Sequence, residues 1–170
     1  MSAEWRTVKW DDLVEFRLPA TWSAEVEDHE GHTVAVFLPP PPATGTLRLV
    51  TDRVAPKEGP DGVGAVLQEM ALRFVRPDDS RASDRIVAPW DNAEARAAGA
   101  EEGVIAQAVM ATEEDGRAEL HYLWMIGVER VGRAAVAMFS FLVPAHQDGD
   151  PAIAEAIALL DNMIREAVIS

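Results

Sequence analysis

"VIAQAVMATEEDGRAELHYLWMIGVERVGRAAVAMFSFLVP", residues 104–144, contains three long stretches rich in β-branched, aromatic and other apolar residues. Two short polar segments divide it, "EEDG" at 113–116 and "RVG" at 130–132, and each holds the glycine that suits a tight hairpin turn. The pattern predicts three antiparallel strands, over 104–112, 117–129 and 133–144. In the middle one, Leu120, Tyr122, Trp124 and Ile126 share one face, while Arg117, Glu119 and His121 begin the other. That alternation belongs to an antiparallel meander with one wet face at its start.

Downstream, "DPAIAEAIALLDNMIREAVIS" predicts a closing helix. Asp150 stands at the N-cap and Pro151 at the first helical position, and Ile153, Ile157, Leu160, Ile164 and Val168 form an apolar stripe. Upstream, "LVEFRLP" alternates Val14, Phe16 and Leu18 against Glu15 and Arg17, which makes a half-buried strand stopped by Pro19. "HTVAVFLP" and "GTLRLVTDRVA" read as two further strands. "GPDGVGAVLQEMALRFVRP" places Val63, Val66, Leu67, Met70 and Phe74 at helical spacing, with Asp61 as N-cap and Pro77 as terminator. "SDRIVAPW" reads as a short extended piece. The Ala-rich residues 93–102 suit a helix by propensity and a strand by position, and the position favours a strand. A one-sided helix after a run of strands must lay its apolar side on a sheet. The expected fold is α+β: a mainly antiparallel sheet packed by an internal helix and a C-terminal helix. Residues 1–170 form one domain in this reading, an N-terminal arm over 1–12 and an α+β core over 13–170.

Composition narrows the range of functions. The 170 residues include no cysteine, which excludes disulfides, thiolate metal sites and cysteine nucleophiles. The 29 acidic and 15 basic residues give a formal net charge of −14. Such a surface repels nucleic acid and anionic membranes, so neither is expected as a partner. The opening "MSAEWRTVKWDDLVEF" carries charges throughout, and no stretch approaches the roughly 18 apolar residues of a spanning helix. A soluble, cytoplasmic protein is expected.

Four segments together resemble a known group: "FRLPATW" with the His-rich turn and strand after it, "EEDGRAELHYLW", "VAMFSFLVP", and the terminal "LLDNMIREAVIS". The arrangement is similar to the PsbP/Mog-type fold, whose members include photosystem extrinsic subunits, a Ran-binding protein and bacterial adaptor proteins of secretion systems. The likeness runs from about Leu13 onward and rests on strand order, the Leu18-Pro19…Trp22 step and the closing helix. It implies a sandwich architecture and a noncatalytic adaptor or chaperone role, and it transfers no functional residue.

Candidate chemistry is sparse. "DHEGH", residues 28–32, brings His29 and His32 close together, but zinc needs three or four protein ligands and the others would have to come from afar. Gly31 is the residue that a tight turn requires, so the stretch reads first as a hairpin tip, with His29 and His32 as weak metal candidates. "GPDGVGAV" lacks both the dinucleotide and the P-loop spacing and carries acids where phosphate would sit. "HQDGDP" lacks calcium-loop spacing. "LPPPPATG" suits local polyproline II and serves as a connector between strands. Ser140 lies within a strand and Ser23 has no evident base, so no catalytic residue and no cofactor is expected. Trp5 and Trp10 are candidate interaction anchors if their rings are not folded in. Gln107, Arg117 and His121 are candidate lining residues of a pocket between sheet and helices. The leading expectation is a binding module for another protein, with a homodimer as a further arrangement. The alternative is a small-molecule binder or a weakly marked enzyme.

Overall fold

The structure, a computed structural model, describes residues 4–54, 62–90, 103–130 and 133–169. Its strands are β1 (Trp5–Trp10), β2 (Val14–Pro19), β3 (Ser23–His29), β4 (His32–Leu38), β5 (Thr46–Val54), β6 (Ala82–Pro89), β7 (Gly103–Glu114), β8 (Arg117–Arg130), β9 (Arg133–Pro144) and β10 (Val168–Ile169). Helix α1 spans Gly62–Phe74 and helix α2 spans Pro151–Arg165. The fold is α+β, a mainly antiparallel sandwich. Seven strands in the order β3-β4-β5-β9-β8-β7-β6 form the large sheet, and β1-β2-β10 form a small one. Asp61 and residues 93–102 lie outside the described residues.

Local chemistry explains the register. Glu30 and Gly31 at the β3–β4 turn have φ of 49° and 84°, and Asp115 and Gly116 at the β7–β8 turn have φ of 52° and 76°. Positive φ at both central residues is the two-residue turn whose twist matches that of paired strands. His29 therefore pairs with His32 across the first hairpin, and Glu114 with Arg117 across the second. "DHEGH" is a hairpin tip.

The large sheet buries both of its faces. On one side, Phe37, Leu47, Leu49, Trp124, Ile126, Phe139 and Phe141 meet Phe16 and Leu18 of the small sheet and Ile153, Leu160 and Ile164 of α2. Phe16 contacts Phe37 and Phe139 edge-on, each with ring centroids 5.6 Å apart. Each of these fully buried side chains contributes roughly 1.5–3 kcal/mol. On the other side, Leu67 and Ala71 of α1 pack with Val104, Ala106, Met125 and Val136, and Met70 and Phe74 flank them. The small sheet is also tied to β5 by polar contacts. Thr51 Oγ1 donates to the Asp11 carboxylate at 2.9 Å, and Arg53 donates to the same carboxylate at 3.2 Å.

Several details differ from the sequence expectation. Val168 does not continue the α2 stripe: the helix ends at Arg165, and Val168 and Ile169 pair with Glu15 and Val14 of β2. Both are β-branched, which suits a strand, and their pairing adds a third strand to the small sheet. Asp150 occupies the N-cap position of α2, but its side chain makes no capping bond, and only its carbonyl accepts Ala154 N–H at 3.0 Å. The four prolines do not run on as an extended helix. Ala43 N–H donates to Pro40 O at 3.1 Å, closing a turn that lets β4 and β5 pair antiparallel. "SDRIVAPW" belongs to a full edge strand, β6, whose register shifts between Ser83 and Ile86.

Candidate functional site

Helix α2 covers the sheet unevenly. Ile153, Leu160, Met163 and Ile164 point into the core, while Ala154, Ala158, Asp161 and Arg165 follow one another at three- and four-residue steps, with Ile157 beside them, along the flank beside β6 and β7. Residues at these spacings share one helix face. Two of them are alanines, too short to reach the sheet. A cleft of about 510 Å³ results, walled on the sheet side by Ile86, Gln107, Val109, Tyr122 and Trp124.

One end of the cleft is a closed polar network. The Asp161 carboxylate accepts Gln107 Nε2–H at 2.8 Å and Trp124 Nε1–H at 3.1 Å through one oxygen, and Arg165 Nε–H at 3.0 Å through the other. Arg165 also donates to Gln107 Oε1 at 2.8 Å. These bonds fasten α2 to β7 and β8 and neutralise the Asp161 charge against Arg165. The other end is acidic. Tyr122 donates its hydroxyl to Asp148 at 2.9 Å. Burial, that bond and the charges of Asp148 and Asp84 together push the phenol pKa up to about 12. Among the described residues, neither Asp84 nor Asp148 has an ion-pair partner. Along the cleft, Ile86 is 48 % exposed, and Ala154 and Ala158 are exposed.

The three residues expected to line a pocket are not brought together. Gln107 sits in the cleft. His121 occupies the opposite face of β8, where Thr112 Oγ1 lies 3.1 Å from its Nε2. Burial, helped by the charges of Arg48 and Arg76 and opposed by Glu119, lowers its pKa. Arg117 is exposed beside the β7–β8 turn. Of the metal candidates, His32 is exposed and lines a groove with Trp10, Asp11 and Thr51, and the His29 side chain lies outside the described ones. No cluster of three metal-ligating side chains occurs among the described residues. Trp10 is half-buried against the core, whereas Trp5 is 41 % exposed with the Arg17 guanidinium 5.9 Å from its ring centroid. Asp148 reaches the cleft only through Tyr122, and the sequence reading singles out neither Asp161 nor Arg165. Their signal was the Ala154–Ala158–Asp161–Arg165 spacing on the less apolar flank of a strongly one-sided helix.

No family model matches the sequence, and no curated protein matches it. Among solved structures, the chain is similar to LpqN, described as involved in cell envelope biogenesis of Mycobacterium tuberculosis. The TM-score is 0.55 over 98% of this chain and 91% of that one, at 13% sequence identity. The likeness is one of fold. It covers the whole sandwich and assigns no residue a role. No described helix is long and apolar enough to cross a membrane.

Proposed function

We propose that the chain is a noncatalytic binding module that docks a segment of another polypeptide in the cleft between α2 and the outer strands. The observation that carries this reading is the openness of the cleft, with Ile86, Ala154 and Ala158 exposed along its length. Sites for small molecules bury roughly 70–90% of the ligand's surface, whereas this groove covers only one side of its occupant. A polypeptide segment keeps its other side on its parent body and loses nothing by that. The polar groups at the Asp161 end already bond one another, so the apolar wall is the recognition surface. The resemblance of the sequence to the PsbP/Mog-type group, whose members are generally interaction modules, favours the same reading. The part LpqN plays in cell envelope biogenesis is compatible with such a role and adds no chemistry to it.

A random peptide array probed with the intact protein tests the reading. Ala158→Trp, at an exposed helix position facing the cleft, fills the groove from outside the core. Ala152→Trp makes the same change on α2 away from it. Peptides should be captured by the native chain and by Ala152→Trp and released by Ala158→Trp. An array with no peptide of that behaviour sinks the proposal.

A further inference from the structure

We infer that the segment taken by this cleft is basic and amphipathic: an apolar side chain lies on Ile86, Val109 and Ile157, and a lysine or arginine reaches Asp84 and Asp148. The inference rests on the proposed docking role and deepens it by naming the chemistry of the partner. Its ground is charge complementarity across the cleft. Asp161 is matched by Arg165, at 3.0 Å, and brings no net charge to its end. Asp148 accepts the Tyr122 hydroxyl at 2.9 Å, Asp84 lines the same cleft, and neither has an ion-pair partner among the described residues. Two carboxylates beside one half-buried phenol repel each other, and a cation between them removes that repulsion while adding an attraction.

Strand geometry sets the spacing of the two features. Val109 pairs with Tyr122, and Gln107 with Trp124, so the acidic end and the Asp161 network stand two residues apart on each strand, roughly 7 Å. An apolar side chain seated on Ile86, which pairs with Gln107, and a basic side chain two residues along an extended segment span that distance. An acidic segment would meet like charge at one end and an already neutralised pair at the other. The overall charge of −14 adds long-range attraction for a basic partner, but only the cleft carboxylates give it a register.

Three short synthetic peptides decide the matter: one of leucine and lysine, one with glutamine in place of lysine, and one with glutamate. Fluorescence anisotropy is read on the intact protein. Asp84→Asn and Asp148→Asn are combined because asparagine keeps an acceptor for Tyr122 and tolerates the positive φ of 51° at position 84. A second variant, Glu25→Gln with Glu30→Gln, removes two charges at the far edge of the sheet. The expected result is that the lysine peptide binds and loses about five- to tenfold in affinity in the cleft variant but not in the far-edge variant. Equal losses in both variants mean attraction to net charge only, and overturn the inference. A glutamine or glutamate peptide that binds as tightly as the lysine peptide, and is released by Ala158→Trp, overturns it while leaving the docking role intact. If Ala158→Trp releases no peptide, the docking role itself fails.

Discussion

Gly45 precedes β5 with φ +112°, and a methyl group built on it would lie 2.3 Å from Cζ of Phe141, a ring with no exposure. Both the backbone and the space therefore demand glycine. Gly45→Ala is expected to cost about 2–4 kcal/mol, seen as a lower urea midpoint, and Phe141→Leu in the same chain should restore part of it. His121 gives a second prediction at this scale. Its folded pKa lies below the ordinary 6.5, chiefly through burial. As pH falls past 6.5 the unfolded chain takes up this proton before the folded one does. Stability from this group is thus complete above 6.5 and is lost as pH falls from there through the folded value. His121→Gln should flatten the loss of stability between neutral and mildly acidic pH in urea titrations, and an unchanged slope would refute the assignment. The face of His121 was legible in the strand alternation. Which face α2 would cover was not, because period two sorts side chains into two sets without saying which set a distant helix will choose.

Among the elements, the meander, its β7–β8 turn and both helices follow from patterns a few residues long, and these were readable. β10 was not, because two residues carry no period. β6 was obscured by its bulge at Ser83–Ile86, which breaks the alternation that marks a strand. Residues 1–12 read as a charged arm, yet Trp5–Trp10 forms β1 against β2. Its inward set, Arg6, Val8 and Trp10, includes a charge, so the apolar alternation is incomplete; Arg6 reaches the Trp22 carbonyl at 2.8 Å. The cleft was legible only in Gln107, because the network joins residues 54 positions apart. That network makes α2 testable as an element. Asp161→Ala strands the Trp124 N–H and the Gln107 amide, and should cost roughly 1–3 kcal/mol. Asp161→Asn keeps an acceptor and should cost less. Urea unfolding, with near-ultraviolet circular dichroism to report on Trp124, checks the order of the two, and equal stability would mean that α2 is held by its apolar face alone.

Among the described residues, most acidic side chains stand outside the ion pairs. Edge strand β3 presents Glu25, Glu27 and Asp28 around the 62 % exposed Val26, which guards that edge against pairing with another chain. The exposed ion pairs, such as Lys9–Glu15 at 3.7 Å and Arg53–Asp11 at 3.2 Å, are each worth at most about 1 kcal/mol and weaken in salt. Repulsion within a chain of net charge −14 weakens in salt as well, and it acts over far more pairs. Raising sodium chloride from about 0.02 to about 0.2 M shortens the screening length from roughly 20 to 7 Å, so net repulsion should relax more than the few pairs lose. Tm is expected to rise by about 2–4 °C, the shift that roughly 1 kcal/mol produces in a chain of this size. The same salt should weaken capture of a basic peptide, whose charge attraction it screens. Fold and binding thus respond to salt with opposite signs in one titration series. A Tm that falls alongside the affinity would show that specific ion pairs, not net repulsion, dominate the electrostatics of this fold.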